Sequence, residues 1–104
     1  MTVLSTASFE DFEADARAQG FDEVLVREWS ADLVLEEHTH PFEVQARVTR
    51  GEVWLTCGGH TRHLQAGEGF ELERGVPHAE RYGPQGATFW VARRHGAVRS
   101  SSSP

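Results

Sequence analysis

The sequence predicts an all-β domain, a small sandwich or barrel, with one short helix at its N-terminus. The chain has 104 residues, which is the size of a single domain. After residue 20, short β-forming runs alternate with glycine-containing turns, and many short strands at regular spacing are typical of sandwiches and barrels. The turns are Arg50-Gly51, Gly58-Gly59, Ala66-Gly67, Arg74-Gly75 and Gly83-Pro84-Gln85-Gly86.

The N-terminal helix is predicted to begin after Ser8 and to end before Gly20. Serine is a favoured N-cap because its hydroxyl accepts a hydrogen bond from an amide of the first turn, and glycine suits the residue after a helix. Phe9, Phe12 and Ala16 recur at spacings of three and four residues, so they share one face. This apolar face is expected to pack against the main body of the protein.

Eight strands are predicted between the turns. They are Glu23–Trp29, Asp32–Glu37, Glu43–Thr49, Glu52–Thr56, Thr61–Leu64, Phe70–Leu72, Ala79–Tyr82 and Ala87–Arg93. We therefore assign residues 1–20 to an N-terminal helical extension and residues 21–95 to the barrel. Residues 96–104, a serine-rich stretch without periodicity, are expected to be a disordered tail.

Alternation along the third predicted strand identifies the inner face of the barrel. Val44, Ala46 and Val48 are apolar and are separated by polar residues, so the even-numbered positions point inward. If the strand extends back without interruption, the same alternation places His38 and His40 on the inner face. Two histidines would then enter the barrel from one strand.

Later strands add further residues to this inner face. Phe70 and Leu72 are the inward positions of their short strand. His78, Glu80 and Tyr82 share one face of the strand that follows. The alternation therefore predicts that His78 converges with the first two histidines inside the barrel.

Composition restricts the partners and the chemistry. The formal charge of −6 argues against nucleic acid and against an anionic membrane surface, since both need a basic patch. All 10 basic residues are arginine, which excludes a lysine Schiff base. A single cysteine, Cys57, forms no internal disulfide, and no signal peptide or membrane-spanning stretch is evident, so a cytoplasmic location is expected.

Three convergent histidines are a metal-ligating pattern. His38 and His40 lie on the same side of a strand, roughly 7 Å apart along the chain, and His78 can complete a facial set from another strand. Neutral imidazole binds zinc, copper, iron and nickel well, and three protein ligands leave positions open for a substrate. We therefore expect one divalent transition metal ion, whose identity (Fe, Mn, Ni, Zn or Cu) the sequence does not settle.

The spacing of these residues resembles the two sequence motifs of the cupin superfamily. His38-Thr39-His40 and Gly51 match the first motif, which has two histidines and a closing glycine. Gly67, Gly75 and His78 match the second motif in its spacing. The matching region runs from Asp32 to Tyr82, about half of the chain. The resemblance implies a double-stranded β-helix, or jelly-roll barrel, with a metal ion inside its mouth.

The chain departs from the cupin pattern at the glutamate ligand of the first motif. Val44 stands at that position, with Glu43 beside it and Gln45 at the longer allowed spacing. Alternation places Glu43 and Gln45 on the outside unless a bulge intervenes. The direct interpretation is a site of three histidines, although a role for Glu43 or Gln45 stays open.

Glu80 and Tyr82 are candidates for catalysis because they share a face with His78. One interpretation makes them a general acid or base beside the metal ion. In the other, which we favour, Tyr82 fills the barrel with its hydroxyl hydrogen-bonded and Glu80 reaches the rim. Glu36 also shares the face of the first two histidines, so the same two interpretations apply to it. An apolar pocket is expected around the centre, formed by Phe42, Val44, Phe70, Leu72 and Tyr82.

Other chemistry-bearing residues are assigned structural roles. His60 and His63 follow a turn and are expected to face solvent, and Cys57 is expected to be a small buried residue. Trp54 points outward, which suggests that the N-terminal helix or a second subunit covers it. Trp90 and Phe89 raise the same question. Because small cupins commonly pair through outer faces and sheet edges, a homodimer is expected.

Two functions remain in competition at this stage. The first is a metal-dependent enzyme acting on a small organic molecule, with dioxygenase chemistry first and lyase or isomerase chemistry next. The second is a non-catalytic cupin domain that binds a small ligand or a metal ion. Whether the protein is an enzyme is therefore left open, with a leaning towards an oxygenase or a lyase.

Overall fold

The computed structural model describes residues 8–96, which form one helix and six antiparallel strands. The elements are α1 (Phe9–Ala18), β1 (Glu23–Trp29), β2 (Val34–His38), β3 (Glu43–Cys57), β4 (His60–Gln65), β5 (Gly69–Leu72) and β6 (His78–Arg94). The predicted all-β domain with an N-terminal helix is confirmed. Apart from Gly96, the expected tail lies outside the described residues. Within residues 8–96, no helix is both long and apolar enough to cross a membrane.

The strands form two layers that share the long strands β3 and β6. Residues 43–48 of β3 pair with the second half of β6, which is flanked by β1, while β5 flanks β3. Residues 53–57 of β3 pair with the first half of β6, which is flanked by β2, while β4 flanks β3. The resulting layers, β1-β6-β3-β5 and β2-β6-β3-β4, make the double-stranded β-helix that the cupin resemblance implied.

Two of the predicted turns are bends inside long strands. Strands were expected to end at Arg50-Gly51 and at residues 83–86, but β3 and β6 continue through both places. Gly51 and Gly86 have φ angles of +79° and +69°, and the β3–β6 register shifts on each side of Gly51. The prediction was wrong because glycine here turns the chain while the partner strand turns with it, so hydrogen bonding is kept.

The core between the layers follows the predicted alternation. Val44, Ala46 and Val48 are buried, with exposed fractions of 9%, 3% and 0%. Phe70 and Leu72 are buried as expected. The inner face assigned from sequence is therefore confirmed. Further core residues include Val53, Leu55, Leu64, Tyr82 and Phe89.

The helix α1 covers the outer face of the first layer at Trp90. Ser8 caps the helix, accepting a hydrogen bond from the Asp11 amide at 3.1 Å. The Phe9 and Phe12 rings lie 5.8 and 5.9 Å from the Trp90 ring. Trp90 is therefore one of the outward aromatic residues for which a cover was expected. Phe89, by contrast, points into the core, because neighbouring strand residues face opposite sides.

Trp54 was expected to be covered by the N-terminal helix or by a second subunit. It is half-buried on the outer face of the second layer, away from α1. The His63 ring stacks on it at 4.4 Å, and the Arg81 guanidinium lies 4.2 Å from its ring centroid. The helix is thus not its cover.

The predictions for residues around the turn between β3 and β4 are confirmed in part. His60 and His63 are exposed, as expected. Cys57 was expected to be buried but is half-buried, because it is the last residue of β3 and precedes the exposed glycines of the turn.

We expect Gly51→Ala to lower the free energy of unfolding by about 3 kcal/mol. A Cβ atom at Gly51 would lie 2.0 Å from the Gly86 carbonyl oxygen, and the positive φ is unfavourable for alanine. Gly58→Ala is the matched control: its φ is +62°, but a Cβ atom there meets nothing within 4 Å, so about 1 kcal/mol is expected. Urea titration measures both, and equal losses would contradict a packed bend.

Candidate metal centre

Three histidines meet at one end of the space between the layers. His38 is the last residue of β2, His40 follows it, and His78 is the first residue of β6. His38 and His78 are cross-strand partners. One ring nitrogen from each residue lies within 4.8 Å of the others. The structure therefore brings together the three residues that the sequence singled out as a group able to hold a metal ion.

The route of the chain to His40 differs from the route assumed from sequence. The alternation argument needed an unbroken strand from His38 to Phe42, but β2 ends at His38 and β3 begins at Glu43. His40 still joins the group because its ring stacks on Phe42 at 4.9 Å and its carbonyl accepts a hydrogen bond from the Gly75 amide at 2.9 Å. A loop anchored at two points replaces the strand.

Backbone carbonyls fix the rings of two of the histidines. His38 Nδ1 lies 2.7 Å from the Glu36 carbonyl oxygen, and His78 Nδ1 lies 2.9 Å from the Val76 carbonyl oxygen. A carbonyl only accepts, so each Nδ1 carries a hydrogen, and in the neutral form of the ring each Nε2 keeps a lone pair. Metal-ligating histidines are commonly held in this way.

The Nε2 atom of His78 lacks a hydrogen-bond partner although it is buried. Glu80 Oε2 lies 3.5 Å from it, and with a neutral imidazole this contact brings two acceptors together. Two buried acceptors side by side favour a cation next to them. The residues present therefore fit a bound metal ion.

Burial keeps the third imidazole neutral. Desolvation lowers the pKa of His40 from its ordinary 6.5 to about 4, and positive charge on His78 or His38 would lower it further. A neutral imidazole is the form that binds a metal ion. His40 is thus ready to act as a ligand at neutral pH without losing a proton.

We expect the metal-free protein to lose stability as the pH falls from about 6.5 towards 4. In this window the unfolded chain protonates His40 while the folded chain does not, so acid favours unfolding; above the window the stability is fully present. Denaturant titrations in a chelator across this range measure the slope. His40→Gln should flatten the slope by up to about one proton, and parallel profiles for the two proteins would contradict the lowered pKa of His40.

The position of the cupin glutamate is part of an apolar wall. Val44 is 9% exposed and lines the cavity beside the histidines. Glu43 forms an ion pair with Arg94, and it shares an outer groove with Gln45 on the other side of the strand. Neither Glu43 nor Gln45 therefore reaches the three histidines.

Glu80 and Tyr82 form a buried pair beside His78. The Tyr82 hydroxyl donates a hydrogen bond to Glu80 Oε1, and burial, followed by the nearby Glu80 charge, raises the pKa of Tyr82. The Glu80 side chain is 8% exposed and lines the cavity, whereas it was expected at the rim. Tyr82 is 1% exposed and its ring stacks on Trp29 at 5.2 Å, so it lies behind the wall that it was expected to form.

The cavity next to the histidines has a volume of about 190 Å³. Pockets for drug-sized ligands span about 300–1,000 Å³, so a smaller molecule fits here. Of the predicted wall residues, Phe42, Val44, Phe70 and Leu72 are present. Glu36 is exposed and lies on the outer side of β2.

Two arginines on the cavity wall were missed from sequence. Arg27 and Arg93 line the cavity together with the residues above. The signal was available for Arg27, because Leu25, Arg27 and Trp29 alternate along β1 and the flanking two pack against the core. A charged residue between two inward apolar residues breaks the alternation of apolar inward and polar outward positions, and this break is the signal.

The sequence matches one family model. Residues 21–102 match the model of the AraC-like ligand binding domain. No curated protein matches the chain by sequence.

Several solved structures have a similar fold. The DMSP lyase DddQ from Ruegeria pomeroyi DSS-3 is 29% identical with a TM-score of 0.62, over 68% of this chain and 36% of that chain. A double-stranded β-helix protein from Klebsiella pneumoniae subsp. pneumoniae MGH 78578 is 25% identical with a TM-score of 0.60, over 70% and 66%. The cupin domain of Schizosaccharomyces pombe Cnp3 is 14% identical with a TM-score of 0.67, over 78% and 64%. This chain thus spans about a third of the first of these proteins and just under two thirds of the last.

Proposed function

The chain belongs to the family of AraC-like ligand binding domains, and on this premise we propose that it is a metal-binding cupin that acts on a small organic molecule by proton transfer. The observation that carries the proposal is the group formed by His38, His40 and His78 at the wall of an apolar cavity. A divalent metal ion held there supplies a Lewis acid that polarises an oxygen atom of the bound molecule.

The three histidines are oriented to bind a metal ion without rearrangement. The carbonyl groups of Glu36 and Val76 orient His38 and His78, and burial keeps His40 neutral. No protein carboxylate among residues 8–96 joins the group of ligand atoms. The three ligands are neutral, so the nearest carboxylate to the site is that of Glu80, 3.5 Å from His78 Nε2, and a divalent ion held there would keep most of its power to polarise a substrate.

Metal content tests this part of the proposal. Protein made without a histidine tag, in cells supplied with several first-row metals, is expected to retain about one ion per chain. Elemental analysis then identifies the ion. Metal-free protein that also fails to take up Fe²⁺, Mn²⁺, Zn²⁺ and Ni²⁺ in calorimetric titrations would refute the site.

Glu80 is proposed as the base that takes a proton from the bound molecule. It lines the cavity next to His78, one oxygen is held by Tyr82, and the other faces His78 Nε2. The raised pKa of Tyr82 keeps its hydroxyl protonated, so it positions Glu80 by donating a hydrogen bond. A base beside a Lewis acid suits lyase or isomerase chemistry, and the likeness to a DMSP lyase supports lyase chemistry over the dioxygenase chemistry first expected.

A second candidate function is ligand binding without catalysis. The matching family model describes a ligand binding domain, and the cavity suits a small ligand. The two functions differ in one respect that is measurable: only the enzyme exchanges protons between a bound molecule and solvent. The isotope-exchange experiment described in the Discussion separates them.

A homodimer in the cytoplasm remains part of the proposal. The outward Trp54 is half-buried in the single chain and carries only His63 and Arg81 as ring neighbours among the described residues. Pairing of two such faces would bury apolar surface that a chain of this size otherwise exposes. Light scattering of the purified protein, with Trp54→Glu as the disrupting variant, measures the oligomeric state.

A further inference from the structure

In the described part of the chain, the buried side-chain nitrogen and oxygen atoms that lack a hydrogen-bond partner all belong to residues around one cavity. Within residues 8–96, these atoms are Trp29 Nε1, His78 Nε2 and Arg93 Nε, and all three residues line the cavity. The His78 atom is explained by a metal ion. The other two are hydrogen-bond donors, and native proteins rarely leave buried donors unsatisfied. A ligand that accepts hydrogen bonds would satisfy them.

Arg27 brings a positive charge to the same wall. It lies on β1 between Leu25 and Trp29, which pack against the core. Its guanidinium lies 4.4 Å from the Trp29 ring centroid, and no carboxylate partner for it occurs in the described part of the chain. The ring fixes the direction of the guanidinium but leaves its charge unneutralised.

Arg93 brings a second charge that is only partly paired. Its Nη1 atom is 3.5 Å from Glu23 Oε1, and the same oxygen lies 2.6 Å from His95 Nε2. The Phe42 ring lies 5.0 Å from its guanidinium. This long, shared contact is at one end of the guanidinium, and the Nε atom at the other end has no acceptor among the described residues.

We infer that the small molecule bound in this cavity carries a carboxylate group, which Arg27 and Arg93 bind while the rest of the molecule faces the three histidines. Planar guanidinium groups match the geometry of a carboxylate and give charge-assisted hydrogen bonds. The apolar residues Phe70, Leu72 and Val44 on the wall accommodate a short carbon chain. The inference rests on the proposed function, since it assigns the substrate class of the same cavity.

The size and the charge of the cavity favour a small organic acid over the alternatives. The volume of about 190 Å³ and the mainly apolar wall suit a few carbon atoms next to the charged group. A neutral ligand would leave Arg27 without a charged partner and Arg93 with only its long contact to Glu23, in an apolar surrounding, which is costly. The overall charge of −6 makes this local pair of positive charges stand out from the rest of the chain.

Propionate and propionamide, titrated into the isotopically labelled protein and followed by NMR, test the inference. The two probes have nearly the same shape and differ in charge. Propionate should bind at least tenfold more tightly than propionamide, which corresponds to about 1.4 kcal/mol. Equal affinities for the two probes would overturn the inference without any variant being needed.

Substitutions test whether Arg27 and Arg93 cause the preference for propionate over propionamide. Arg27→Met and Arg93→Met keep the apolar stem, and each should weaken propionate binding at least tenfold while propionamide binding stays unchanged. Arg47→Met, at an exposed position of β3, is the matched control and should bind propionate as the wild type does. Propionate affinities within twofold of the wild type in both cavity variants would overturn the assignment.

Two further measurements distinguish a carboxylate site from a phosphate site and the arginine pair from the metal site. Inorganic phosphate should bind more weakly than propionate, and tighter, arginine-dependent phosphate binding would overturn the carboxylate in favour of a phosphate group. Metal content of the arginine variants should equal that of the wild type, because neither arginine is a ligand. If the wild type binds no metal but still prefers propionate through Arg27 and Arg93, the proposed function fails and the carboxylate site stands.

Discussion

Replacement of His40 and His78 together by alanine should reduce the metal content from about one ion per chain to almost none. A single remaining imidazole, His38, does not retain a first-row ion against a chelating buffer. The double substitution also leaves the folded barrel without its buried orphan atom, His78 Nε2, so loss of metal should not be accompanied by loss of the fold. Elemental analysis and circular dichroism, measured on the same untagged samples, give the two readouts.

The control for this experiment is His60→Ala, which removes an exposed histidine from the β3–β4 turn. Metal content should be unchanged by that substitution. Equal metal content in the wild type and in the double variant would show that the ion binds elsewhere. If the double alanine variant unfolds, the same measurements are made on His40→Gln and His78→Gln, which keep polar groups at both positions.

Glu80→Gln should slow proton exchange on a bound probe by about 100-fold, since a positioned general base contributes about 10²–10⁴-fold. Pyruvate is a suitable probe because it is small, carries a carboxylate and has exchangeable methyl protons. In D₂O, the metal-loaded wild type is expected to accelerate deuterium incorporation into the methyl group, as followed by proton NMR. The glutamine side chain still accepts the Tyr82 hydrogen bond and retains the shape of glutamate, so the wall should be preserved.

Glu37→Gln serves as the matched control, because this exposed carboxylate of β2 lies outside the cavity. It should exchange protons as fast as the wild type. If the metal-loaded wild type gives no acceleration over buffer, the ligand-binding function without catalysis is supported. Full activity in Glu80→Gln with unchanged metal content would show that another group is the base.

Strand alternation gave the correct inner face but not the shape of the strands. The pattern Val44, Ala46, Val48 depends on short-range geometry with a period of two, which the sequence records directly. The continuation of β3 through Gly51 depends on Gly86 of a distant strand, which the sequence does not place nearby. Glycine is equally compatible with a loop and with a bend, so only the partner strand distinguishes them.

In the candidate site, too, features set by local sequence spacing were predictable, and features set by contacts with distant strands were not. Motif spacing brought His38, His40 and His78 together, even though the strand assumed to carry His40 is a loop. The depth of Glu80 and Tyr82 was not predictable, because it depends on the stacking of Trp29 from β1 against Tyr82. Alternation marks Arg27 as an inward position of β1, but it does not show that the wall there lines an open cavity, so its place in the site was missed.

The pairing of β3 with β6 has a consequence for how the chain reaches its native state. Cys57 pairs with His78 and Glu43 pairs with Arg94, so the two strands form one long hairpin that passes through both bends. The loop closed by the first pair is the shortest, and its closure has the smallest entropic cost. Pairing of β3 with β6 is therefore expected to start beside His78 and to propagate through Gly51 into the other layer, which makes the two layers a single cooperative unit in which the histidine cluster marks the earliest contact between these two strands.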